Sequence, residues 1–420
     1  MAEDLITGLD IGSATCRVVV AQRVPALGGN ETLQVIGAAE VPSEGISKGI
    51  INSIDDAVSS VSMAIERAER MVGAEISSAW VAISGSHILS QTSRGVVGVS
   101  RPDGEIREED VARAIEASQT VATPPNYEIL HVLPKSFTVD GQSGIKDPVG
   151  MNGIRLEVEA EIIQGLSSQV KNLTKCVYRT GVDIEDLVFG ILATAEAVTT
   201  PRMRELGVGV ANIGGSTTSL IVFEGGDVLH TAVLPIGSEH ITSDIAIGLR
   251  ISIEAAEEIK VRYGTAQPKD INRKEAVQLS EVGVAEEVVS KKYIAEIIEA
   301  RVEEIFEKVD HELKKVGRSG LLPAGMVLTG GGAKLPGAIE VAKAKLRLPA
   351  TLGLPLGVTS ITDRINDPSF TTAVGLVHWG ALATKMSKHG KGRGRAMLAK
   401  IGSLRETVKK TKSWLQNLLP

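Results

Sequence analysis

Aromatic residues make up only 3% of this 420-residue chain, and it has just two cysteines. No apolar run in it reaches the roughly 18 residues that a membrane span requires. Each shortage excludes something. So few rings leave little surface for stacking nucleobases, and the core has to be built from Val, Ile, Leu and Ala. Cys16 and Cys176 stand 160 positions apart with no C-x-x-C pair, so neither a disulfide framework nor a zinc site is indicated. The seven histidines are scattered and imply no metal-ligand cluster. The amino terminus, MAEDLITGLDIG, carries acids where a secretory leader has basic residues, so the expected compartment is the cytoplasm.

What remains is 43% apolar and 23% charged, a composition suited to α/β layers in a chain long enough for two domains. The net charge of −6 is unevenly placed: residues 385–420 hold ten Lys or Arg against the single acid Glu406, while the body before them is acidic. A basic end on an acidic body marks an anionic partner, whether membrane, nucleic acid or acidic protein.

Two short strands at 5–9 and 18–21 flank the turn D-I-G-S-A-T, and strands at 208–213 and 220–223 flank N-I-G-G-S-T-T. Laid over each other, Asp10 and Asn212 start matching runs 202 positions apart, the sign of a duplicated strand-turn-strand unit. Helical spacing at 55–72 and 108–118 predicts helices covering a sheet. Residues 84–161 have strand signals of their own at 129–133, 137–139 and 156–163 and read as an inserted subdomain. Helices are also expected at 253–261 and 292–316.

In the first turn Asp10 precedes Gly12, Ser13 and Thr15, a bare backbone open to a phosphate with a carboxylate able to reach hydrated Mg²⁺. The second turn, with Asn212, Gly214, Gly215, Ser216, Thr217 and Thr218, offers amides and hydroxyls to a second phosphate. A plain hairpin explains either turn alone; the pair points to a nucleotide. Gly330, Gly331 and Gly332 join a strand to a helix without P-loop spacing, which suits a tight turn or a flat adenine lying on bare backbone. Glu257 and Lys260, three apart on one helix, either grip a ribose or form a surface pair.

At the far end Ile401, Leu404, Val408, Leu415, Leu418 and Leu419 share one helical face, with Trp414 at its edge and Arg405 and Lys412 flanking it. Preceded by the basic stretch SKHGKGRGRA, this pattern describes an interfacial helix lying on an anionic lipid surface. A core-packing helix is the plainer alternative, and nucleic acid would have no use for the apolar stripe.

In order, G-L-D-I-G-S, A-N-I-G-G-S-T-T, A-E-E-I-K and V-L-T-G-G-G-A resemble the nucleotide signature of the actin, hexokinase and heat-shock-chaperone superfamily. Within it the chain is similar to the FtsA family over nearly its whole length. Pro42-Ser-Glu-Gly-Ile-Ser-Lys-Gly, Val81-Ala-Ile-Ser-Gly-Ser-His, Gly144-Ile-Lys-Asp-Pro-Val-Gly-Met-Asn-Gly and Thr372-Ala-Val-Gly-Leu-Val-His-Trp-Gly carry that likeness. The resemblance implies an α/β, actin-like fold of two duplicated halves around ATP and Mg²⁺. The first half (1A) is expected at 1–83 and 162–205, with an inserted, SHS2-like 1C subdomain at 84–161. The second half (2A) is expected at 206–245 and 322–384, with a 2B lobe at 246–321, a basic linker at 385–400 and a membrane-targeting helix at 401–420.

It also implies self-polymerisation, other division proteins bound through 1C, and attachment of FtsZ filaments to the cytoplasmic face of the membrane at the septum. Arg301 is the implied contact for the acids of the FtsZ carboxy-terminal peptide. Departures bear on chemistry: Thr15 stands where a lysine is common, Asn212 where an aspartate is usual, and no Glu or Gln lies in Phe189-Gly-Ile-Leu-Ala. They imply a nucleotide switch with slow hydrolysis or none. Two further families share this fold: PilM of pilus assembly, which lacks such a tail, and the sugar and acetate kinases, which the altered second turn disfavours.

Overall fold

The computed structural model describes residues 5–25, 31–120, 124–284 and 288–388, with side chains as far as 385. Three antiparallel strands open the chain: β1 (Leu5–Ile11), β2 (Thr15–Pro25) and β3 (Glu31–Pro42). A small hairpin of β4 (Ile46–Ser47) and β5 (Ile50–Ile51) leads to α1 (Ile54–Val72) and to β6 (Ser78–Ile83), which lies parallel to β1. The Ser53 hydroxyl accepts the Asp56 N–H at the start of α1, and Gly73, at φ 72°, ends the helix. Val18, Val19, Val20 and Ala21 are all fully buried, as expected of a strand covered on both faces.

The insertion follows as β7 (Ile88–Gly98), α2 (Glu108–Ser118), β8 (Tyr127–Val139), β9 (Gln142–Ile145) and β10 (Arg155–Leu166). Its sheet has the order β7-β10-β8-β9 and a core of its own around Ile106, Ile115, Phe137, Leu156 and Val158. The strands expected separately at 129–133 and 137–139 are one strand. Pro134 offers no N–H to the ladder, and the register shifts beside it, between the Ala160–Pro134 and Glu159–Ser136 pairs. The insertion's sheet also runs to Leu166, beyond the expected boundary at 161.

The chain returns through α3 (Ser167–Arg179), β11 (Asp183–Phe189), α4 (Gly190–Val198) and α5 (Pro201–Leu206). The second half begins with β12 (Val208–Ile213), β13 (Thr218–Glu224) and β14 (Asp227–Leu234). Next come α6 (Ser238–Leu249), α7 (Ile253–Tyr263), the hairpin of β15 (Ala276–Gln278) and β16 (Val288–Ser290), and α8 (Lys291–Lys315). Then β17 (Met326–Thr329), α9 (Ala338–Leu346) and β18 (Ala350–Leu352) complete its sheet, before β19 (Val358–Ser360) and α10 (Thr371–Lys388).

The two sheets repeat each other. One runs β11-β6-β1-β2-β3 and the other β18-β17-β12-β13-β14. The duplication holds in register: Asp10 faces Arg17 and Ile11 faces Cys16, while Asn212 faces Ser219 and Ile213 faces Thr218.

The expected second-half span of 322–384 is divided between the halves. β19 pairs with β3 on the edge of the first sheet, and α10 packs on β1 and α4. Two glycines permit that packing: a Cβ on Gly375 would fall 1.8 Å from the Ala193 carbonyl oxygen, and one on Gly8 would fall 2.3 Å from that of Ala373. A purely linear reading of the sequence could not place a strand that crosses back after the second sheet is complete. Residues 385–388, expected to open the basic linker, instead continue α10; the rest of that linker, to residue 400, and the expected helix of 401–420 lie outside the described residues.

Candidate nucleotide cleft

The two turns are built alike. Gly12 N–H donates to Thr15 O at 3.1 Å, and Gly214 N–H donates to Thr217 O at 2.9 Å. They also face each other: a Cβ on Gly215 would lie 3.1 Å from that of Ala14. The structure thus brings Asp10, Gly12, Ser13 and Thr15 against Asn212, Gly214, Gly215, Ser216 and Thr217.

Asp10 is the penultimate residue of β1 and has no hydrogen-bond or ion-pair partner among the described residues. Arg17, its cross-strand neighbour, turns away to Glu40 (Nε to Oε2, 2.7 Å) and lies over the Phe370 ring at 5.7 Å. Burial pushes the Asp10 carboxyl up to about 6, only partly offset by the Arg17 charge. A carboxylate without a protein partner is the kind of oxygen ligand that, with phosphates and water, suits Mg²⁺. Ser13 Oγ accepts the Gly49 N–H at 3.0 Å, tying the first turn to the β4–β5 hairpin.

The second turn differs from expectation in its hydroxyls. Ser216 is buried and donates to the Glu239 carboxylate, and Thr218 donates to Ile236 O at 2.8 Å. That leaves Thr217 as the turn's uncommitted hydroxyl among the described residues. Asn212 Nδ2 donates to Thr194 Oγ1 at 3.2 Å on α4 and to Thr372 Oγ1 at 3.1 Å on α10. Its amide therefore joins the halves.

The triple glycine seats under this turn. Gly330, at φ 85°, is held where a Cβ would fall 2.3 Å from Asn212 Oδ1, whereas one on Gly331 would meet nothing within 4 Å. Gly331 thus presents bare backbone to open space. Glu257 and Lys260 meet at 2.6 Å, and Lys260 Nζ also donates to Thr242 Oγ1 at 2.8 Å and to Ser238 O at 3.3 Å. The pair ties α7 to the start of α6 and is more than a surface contact.

Glu239, absent from the sequence reading, stands on the first turn of α6 and is solvent-accessible. The clue available in sequence was G-S-E right after β14, a helix start carrying an acid. Beneath the first turn lies a small cavity lined by Ile11, Gly49, Ser84, His87 and Gln169 among others. His87 is buried there with neither ring nitrogen partnered among the described residues, and burial lowers its pKa to about 4.

Arg301 lies apart from the cleft on α8. Its guanidinium holds both carboxylate oxygens of Asp244 on α6, at 2.5 and 2.8 Å, and also Glu304. The described residues contain no cluster of three or more His, Cys, Asp or Glu that could hold a metal by protein ligands alone, and no helix long and apolar enough to cross a membrane.

The model of the family Cell division protein FtsA matches residues 210–375, and that of the SHS2 domain inserted in FTSA matches 85–164. The chain is 38% identical to Cell division protein FtsA of Pseudomonas aeruginosa, over 90% of this chain and 89% of that protein. It is 39% identical to the Bacillus subtilis protein of the same name, over 90% and 83%, and 34% identical to that of Escherichia coli K12, over 98% and 97%. Among solved structures it resembles a PilM-PilN type IV pilus biogenesis complex (TM-score 0.63, 19% identity, 89% of this chain and 98% of that one). It also resembles MreB5 of Spiroplasma citri bound to ADP (TM-score 0.54, 13% identity, 92% and 99%). The fold is the actin-like one, carrying an SHS2 insertion.

Proposed function

Since this chain belongs to the FtsA family of cell division proteins, we propose that it binds Mg²⁺–ATP between its halves and polymerises. In this reading it tethers FtsZ filaments to the cytoplasmic face of the cell membrane at the septum. The observation that carries the nucleotide part is the pair of facing glycine turns with Asp10 unpartnered between them.

In this reading Asp10 holds the metal's water, and the amides of the two turns other than those of Gly12 and Gly214, which close the turns, receive phosphates beside Thr15 and Thr217, while the Ser13 and Ser216 hydroxyls brace the turns. Glu257 and Lys260 border the ribose, and Gly330, Gly331 and Gly332 bed the base. Bound Mg²⁺ supplies charge neutralisation to the polyphosphate. With no carboxylate or amide side chain at 189–193 to orient an attacking water, the nucleotide serves as a conformational and polymerisation switch that turns over slowly. Multiple-turnover phosphate release at ordinary enzymatic rates would exclude that.

The lobe at 246–321 receives the FtsZ carboxy-terminal peptide near Arg301. Because Asp244 and Glu304 already hold that guanidinium, the peptide's acids act as competitors for it. The insertion at 84–161 is the surface for other division proteins. Residues 401–420 lay the apolar stripe from Ile401 to Leu419 on anionic lipid.

Sedimentation tests the adaptor. The full chain with ATP should carry FtsZ down with anionic but not neutral liposomes, and a version ending at Lys391 should leave it in the supernatant. If both versions stay in the supernatant, the membrane reading falls.

A further inference from the structure

The cleft holds a second carboxylate that the nucleotide reading did not include. Glu239 Oε2 accepts from the Ser216 hydroxyl, and Oε1 lies 2.5 Å from where a Cβ on Gly215 would stand. That same Cβ would be 3.1 Å from Ala14 of the opposite turn, so the Glu239 carboxylate sits where the two turns converge.

The charges around it are one-sided. Neither turn, nor the first turn of α6, contains a lysine or arginine. Of the cations on adjoining elements, Arg17 is held by Glu40 and Lys260 by Glu257, while Lys48 stands exposed on the β4–β5 hairpin. The α6 amides that could have received an anion are committed too, since Ser238 N–H donates to Gly214 O at 2.9 Å and Glu239 N–H to Gly215 O at 2.8 Å. A bare polyphosphate entering here therefore meets two carboxylates, Asp10 and Glu239, and no cation from either turn or the first turn of α6.

We propose that Glu239 is a metal-gating carboxylate of the cleft: it admits a polyphosphate accompanied by Mg²⁺, whose bound water it receives, and rejects the metal-free anion. It thereby supplies from α6 the second carboxylate that Asn212 no longer provides from the turn. This rests on the nucleotide reading of the cleft, and the test separates the two.

The affinity of the full chain for a fluorescent ADP is measured by equilibrium titration in excess Mg²⁺ and in EDTA. For the wild type the ratio of the two dissociation constants should exceed about 30. In Glu239→Gln, which keeps shape and removes charge, binding in EDTA should tighten and the ratio shrink by about tenfold. Glu239→Asp, which shortens the side chain and keeps its charge, should keep a ratio near that of the wild type. An unchanged ratio in Glu239→Gln overturns the gating role while leaving nucleotide binding intact. A wild-type ratio below about 3 overturns it without any variant. Absence of binding under both conditions overturns the nucleotide reading itself.

Discussion

At the first turn Asp10 faces the cleft without a partner, whereas at the equivalent place in the second turn Asn212 gives both amide protons to threonines of the first half. The backbone of the two turns is the same down to the Gly-to-Thr hydrogen bond. Duplication therefore preserved a shape while the two side chains differ in their partners: Asp10 has none among the described residues, and Asn212 fastens the halves together. The same contrast explains why Asp10 titrates high. A half-buried carboxylate whose cross-strand arginine is held by Glu40 is a costly group in the apo fold.

The contrast breaks most visibly at Asp10. Asp10→Asn should lower Mg²⁺–nucleotide affinity by roughly 100-fold, in line with the loss of a charge-assisted contact of about 2–3 kcal/mol. It should also make the apo protein more stable at pH 7, by about 1–2 kcal/mol. The sign follows from the raised pKa. Between the ordinary value of 3.8 and about 6 the folded chain holds a proton that the unfolded chain has lost, so this group's contribution falls as pH rises through that window. Paired denaturant melts and nucleotide titrations of both proteins check it; unchanged affinity would remove Asp10 from the site. In the wild type, Mg²⁺–nucleotide binding should weaken as pH drops below about 6 and Asp10 takes up its proton.

Asn212→Ala should do the opposite, with the smaller effect on binding. It removes two hydrogen bonds between the halves and leaves Thr194 and Thr372, both buried, with fewer partners. A stability loss of about 1–3 kcal/mol is expected, with Mg²⁺–nucleotide affinity changed by less than about tenfold. Should nucleotide binding vanish while the melt stays put, the division of labour between the turns is wrong.

Much of this was legible in the chain. The offset between Asp10 and Asn212 gave the duplicated sheets because strand-turn-strand signals are local, and α2 falls at 108–118 as its apolar spacing predicts. What could not be read was non-local. Val358–Ser360 is too short and too exposed to announce that it joins the first sheet. Ser216 and Thr218 look like free hydroxyls until Glu239 and Ile236 O are brought beside them. Nor does the chain announce that the Arg301 guanidinium is held by Asp244, 57 positions away.

The contrast between the turns extends beneath them, and there the expected effect is smallest. The first turn lies over the cavity holding His87, which is buried and neutral with no partner for either ring nitrogen among the described residues. Its lowered pKa has a definite sign: between about 6.5 and 4 the unfolded chain binds a proton that the folded chain refuses, so stability falls as the solution is acidified through that range. His87→Leu removes the titrating group and two unsatisfied polar atoms while filling similar space, so it should be neutral or stabilising by about 1 kcal/mol at pH 7. It should also flatten the acid limb of the melting profile from pH 6.5 downward. Melts of the two proteins across pH 4 to 7 decide it, because a merely structural loss would lower both limbs alike, whereas removal of this proton uptake raises the acid limb alone.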